Sequence, residues 1–186
     1  MDGFDAERAA WIITAAYALT LPLLALAWRG SAPGRERIFW SLALLGVLAL
    51  ALNKQLDLQT QLTAFGRQMA RDGGWYAARR EVQRLFIIGL AAGMAVVALG
   101  LGWMARRLGG PVWVTLAGLL MLGGFVLLRA ASFHHVDRLL RTGLLGTRAW
   151  VVIELAGIAV VLVGSGWAAW RMWRDRGRNR GTGRPA

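Results

Sequence analysis

The chain has 186 residues, 56% of them apolar, with ten tryptophans, a net charge of +12 and a mean hydropathy of +0.46. This balance excludes an ordinary water-soluble domain. The absence of cysteine also excludes disulfides, thiolate metal ligands and thiol catalysis. The positive charge is concentrated at the ends of apolar stretches and in the last residues. That pattern fits topology and anionic lipid better than nucleic acid.

Five apolar stretches are visible, four of them about as long as the ~20 residues needed to cross a bilayer. The amino end carries Asp2, Asp5 and Glu7 against Arg8, and the first span is predicted over 9–28. Ala25-Leu26-Ala27 resembles a signal-peptide cleavage site, but the acidic start and long apolar run favour an uncleaved span. A short basic connection with Gly and Pro leads to a second span at 38–62.

The apolar character of this second stretch fades at Asn53, yet helical spacing continues. Leu58, Leu62, Phe65 and Met69 recur at i, i+4, i+7 and i+11. The spacing predicts one long helix to about Arg71, closed by Gly73-Gly74. A return helix from Trp75 would then carry the third span at 85–104. In a straight antiparallel hairpin, Gly89 would stand level with Asp57 and Gly93 with Asn53. Asn53 to Gln59 would thus lie below the membrane surface, and the glycine pair would allow close backbone approach.

Pro111 opens the fourth span, predicted over 111–133. It ends in a polar run containing Arg129, Ser132, His134, His135 and Asp137. The fifth span, 150–170, contains Glu154 roughly 6 Å beyond its start. Residues 171–186 are Arg- and Gly-rich without apolar period, and a disordered basic tail is expected there. Nine tryptophans, including Trp28, Trp40, Trp103 and Trp170, fall where an aromatic belt should lie, and Gly157 and Gly164-x-Gly166 read as helix-packing positions. The expected fold is therefore all-α: one polytopic helical bundle over 1–170 with five spans and a long hairpin between spans two and three.

Five spans separate the termini. An amino end outside and a cytoplasmic basic tail, in a bacterial-type inner or plasma membrane, place Arg29, Arg35, Arg37, Arg106, Arg107 and the six-Arg tail inside. Against this, the 53–84 and 129–148 connections hold ten basic residues on the other side. For either orientation, the end of span two, the start of three, the end of four and the start of five share one face.

Ionisable groups within a span cost roughly 2.5–3.5 kcal/mol each on insertion scales and tend to carry function. Glu154, Asp57 and His135 are the candidate catalytic groups. Asp57, His134, His135, Asp137 and Glu154 offer imidazole and carboxylate donors for a divalent metal, Zn²⁺ favoured, with Mn or Fe as alternatives. Asn53, Lys54, Gln55, Gln59, Arg80, Arg84, Arg129 and Ser132 are candidates for substrate contact or ion pairing. A metal-bound water at this depth would suit hydrolysis of a lipid or lipid-linked substrate at the outer leaflet. His-His-x-Asp is not a diagnostic spacing, and two adjacent histidines on one helix do not make a bis-His haem site. The alternative is non-enzymatic: a small transporter, proton-relay or membrane-complex assembly subunit whose buried charges pair with one another. Expected partners are membrane lipids and either a membrane protein or further copies of the chain, with no nucleic acid.

Overall fold

A computed structural model of the chain describes residues 3–56, 79–131 and 146–181. These described residues form an all-helical bundle of five helices: α1 Gly3–Gly30, α2 Arg35–Leu56, α3 Arg79–Ala105, α4 Gly110–Ala131 and α5 Gly146–Gly181. Each contains a segment long and apolar enough to cross a membrane: Glu7–Gly30, Arg35–Lys54, Arg84–Ala105, Gly110–Arg129 and Val151–Arg176. The protein is thus an integral membrane protein, with five spans among the described residues. The predicted hairpin extension of spans two and three lies largely outside the described residues.

Local chemistry fixes the two described connections. After α1, Ser31 donates both its backbone N–H and its hydroxyl to the Trp28 carbonyl, closing the helix end. Gly34 then adopts φ 109°, a left-handed conformation that side chains disfavour, and its carbonyl accepts the first helical bond of α2 from Ile38 N–H at 3.0 Å. Between α3 and α4, the N–H of Leu108 bonds the Ala105 carbonyl at 2.8 Å. Pro111 follows directly in the first turn of α4, where its missing N–H is not needed.

The packing order follows from which residues meet. Along α1 and α5, Tyr17 meets Glu154, Leu23 meets the Gly166 position, and Met172 meets the Gly30 position. These pairs advance together, so α1 and α5 run parallel. Along α4 and α5, Gly110 faces Trp167, Thr115 faces Gly164 and Leu122 faces Gly157, so those two helices are antiparallel. Helix α5 is therefore central, flanked by α1 and α4. Helix α2 packs on α1, α3 packs on α4, and α2 makes lighter contacts with α3 and α4. The core holds Leu24, Phe39, Trp40, Val112, Leu116, Leu122, Ile158 and Val161.

Three local expectations change. Trp40 is not a belt residue: it is fully buried and meets Phe39 edge to face, with centroids 5.3 Å apart. It belongs to the α2 face turned toward the bundle. Gly89 and Gly93 do not support a close approach among the described residues, since a Cβ at either would meet nothing within 4 Å. Finally, α5 runs on to Gly181, into the segment expected to be a disordered tail. Arginine is a strong helix former, and Arg174 stacks on Trp170 one turn earlier, with its guanidinium carbon 4.6 Å from the ring centroid.

Candidate functional site

The parallel start of α1 and α5 and the ends of α2 and α4 converge at one face, called here the amino-terminal face. Glu154 lies three residues into the α5 span, about 5 Å along the axis from Val151. It is buried, at 5% exposure. A lone carboxylate there would be costly, and two neighbouring helices supply its partners. Lys54, in the last turn of α2, places Nζ 3.2 Å from Glu154 Oε2. Tyr17 of α1 donates its hydroxyl to Oε1 across a long 3.4 Å bond. Lys54 is itself about a quarter exposed, so its stem reaches inward while its surroundings stay partly open.

Beside this cluster is a small pocket lined by Tyr17, Asn53, Lys54, Arg129 and Glu154, with Leu50, Leu122, Phe125 and Val126 forming its apolar wall. Its volume is about 20 Å³, room for about one water molecule. A substrate body does not fit inside; a water, or one polar atom of a larger molecule lying across the mouth, does. Arg129 ends α4 as an exposed cation on the same pocket. One carboxylate thus faces an ammonium and a guanidinium, giving a local excess of positive charge.

Four of the sequence candidates, Asn53, Lys54, Arg129 and Glu154, therefore come together on one pocket. Gln55 lies in the last turn of α2 and Arg80 in the first turn of α3. Arg84 is exposed on α3, away from the pocket lining. Asp57, Gln59, Ser132, His134, His135 and Asp137 lie outside the described residues. Among the described residues, no three His, Asp or Glu side chains form a group that could hold a metal ion. On Glu154 itself, the Lys54 ammonium occupies one side that a bound cation would otherwise use.

Tyr17 escaped the sequence reading, although a signal existed. It lies about 15 Å along α1 from Glu7, well inside the span and away from the interface where tyrosine is usually found. A phenol at that depth calls for a buried acceptor, and Glu154 is that acceptor. Comparison of the chain with protein-family models, with curated proteins and with solved structures gives no match.

Proposed function

We propose that this membrane protein works at its amino-terminal face on a lipid or lipid-linked molecule, and that the Glu154 pocket is the working site. The observation that carries this reading is the pairing of a buried carboxylate with a water-sized space and two cations, at the face where the starts of α1 and α5 meet the ends of α2 and α4. Hydrolysis is the reaction this chemistry serves. Glu154 would take a proton from a water held in the pocket, while Lys54 and Arg129 would stabilise negative charge developing on the attacked ester or phosphate. A divalent ion, for which Asp57, His134, His135, Asp137 and Glu154 are the candidate ligands, would add Lewis-acid activation. With the amino end outside, in a bacterial-type plasma membrane, the pocket would serve the outer leaflet.

A second reading is favoured by the engagement of both Glu154 oxygens, Oε1 by Tyr17 and Oε2 by Lys54. Here the cluster is a non-enzymatic link between α1, α2 and α5, or a short proton relay in a transporter or assembly subunit.

One experiment separates them. The purified protein and Glu154→Gln are reconstituted in vesicles of bacterial polar lipid, and released headgroups, acyl chains and phosphate are followed by mass spectrometry. Thermal unfolding is measured on the same samples. Product formed only by the parent protein, with the variant's unfolding midpoint nearly unchanged, supports the hydrolase. No product from the parent, with or without added Zn²⁺, Mn²⁺ or Fe²⁺, and a lowered midpoint in the variant sinks it in favour of the link.

A further inference from the structure

At the opposite face, where α2 begins and α3 ends, two arginines converge on one indole ring. The Arg35 guanidinium carbon lies 4.7 Å from the Trp103 ring centroid, and that of Arg106 lies 4.9 Å from it. The two cations therefore lie no more than about 10 Å apart, roughly one Debye length at moderate salt, so their repulsion is incompletely screened. The ring quadrupole attracts each cation but does not cancel the charge. Neither guanidinium makes a hydrogen bond or ion pair among the described residues, so their N–H donors are open. Trp103 is itself half exposed, on the outer side of the bundle.

The position of this pair matters as much as its charge. Arg35 opens the α2 span and Arg106 follows the last residue of the α3 span, so both lie at the membrane surface. Helix α3 is the least enclosed of the five spans, and its contacts with α2 are slight. A ligand bridging Arg35 and Arg106 would tie these two helices together where the protein does so weakly. The ligand chemistry follows: an anion with several acceptor oxygens, presented at the headgroup level and attached to an apolar body that covers the exposed side of Trp103.

We propose that Arg35, Trp103 and Arg106 form a binding site for the phosphate of an anionic phospholipid, which clamps α3 to α2. Contact with the indole restrains both guanidinium groups, so their N–H donors meet the phosphate with little loss of side-chain freedom. The site is independent of the Glu154 pocket, which lies at the other face, and holds whichever reading of that pocket is correct.

The test uses the full chain in nanodiscs of phosphatidylcholine, with or without phosphatidylglycerol. Native mass spectrometry reads retained lipid, and thermal unfolding reads stabilisation. The unaltered protein should retain phosphatidylglycerol preferentially and unfold at higher temperature in its presence. Arg35→Gln and Arg106→Gln should each weaken retention about fivefold, and the double variant about twenty- to thirty-fold. Arg107→Gln, a neighbouring cation outside the stack, should change retention much less. Equal retention of the two lipids by the unaltered protein would overturn the proposal even if the double variant failed to fold. So would equal losses in Arg107→Gln and the two stacked variants, or equal protection by inorganic phosphate in detergent.

Discussion

Helices α3 and α5 are both glycine-rich and apolar, but their glycines do opposite things. In α5, Gly164 lies against α4 so closely that a Cβ would approach Thr115 N to 2.6 Å. Across the same seam, a Cβ on Gly118 would come within 2.7 Å of Val161 N. In α3, a Cβ at Gly89, Gly93, Gly100 or Gly102 would meet nothing within 4 Å among the described residues. The sequence spacing of small residues is similar, so spacing alone does not make a helix interface. Where lipid tails are as apolar as leucine, close backbone contact has to supply what the hydrophobic effect supplies in water. The α4–α5 seam has that contact, reinforced inside each helix by the Thr115 hydroxyl on the Pro111 carbonyl and the Ser165 hydroxyl on the Val161 carbonyl.

Side chains added to both helices should act very differently on the two. Gly164→Leu should destabilise the bundle by about 3 kcal/mol, because the obstructing atoms include backbone and cannot swing aside. Gly157→Ala should be milder than Gly164→Ala, since its nearest obstructions belong to the movable Leu122 side chain. Gly93→Leu should leave stability within about 0.5 kcal/mol. Unfolding midpoints of all four variants in one lipid would check the order, and a Gly93→Leu loss as large as that of Gly164→Leu would refute the contrast.

The polar end of α5 gives the next largest effect. Lys54→Met removes the cation but leaves the Glu154 carboxylate buried, and should cost about 2 kcal/mol. The loss is below that of a fully enclosed pair because Lys54 is partly exposed. Lys54→Met combined with Glu154→Met should recover most of it, since the stranded charge is gone. A double variant as unstable as the sum of the two single ones would show that the pair contributes no coupling.

The architecture was legible because a bilayer imposes length and apolarity on each span, and residues such as Trp11, Trp103 and Trp170 mark where spans end. The shared face of Asn53, Lys54, Arg129 and Glu154 was also legible, since it follows from alternation of direction alone. Three-dimensional detail was not. Whether Gly93 or Gly164 meets a neighbour depends on helix rotation, which near-uniform apolar sequence does not encode. Trp40 differs from Trp28 by packing against Phe39, not by any difference in composition. Glu154 was conspicuous as a charge among apolar residues, whereas Tyr17 looked like one more aromatic.

Tyr17 supplies the smallest predicted effect and the finest test of the pocket. Its hydroxyl is 3.4 Å from Glu154 Oε1, long for an O–H donor to a carboxylate, while the residue itself is buried. Tyr17→Phe keeps the ring and removes only the donor. It should cost about 0.5–1 kcal/mol, in line with hydrogen bonds between membrane helices. Because Lys54 still pairs with the carboxylate, Glu154 is not stranded by this change. Stability measured in the Lys54→Met background should show a larger loss for the same substitution, because Tyr17 then holds the carboxylate's one remaining donor among the described residues. An identical loss in both backgrounds would mean that Tyr17 and Lys54 act on Glu154 independently, and that the three residues are neighbours without being a unit.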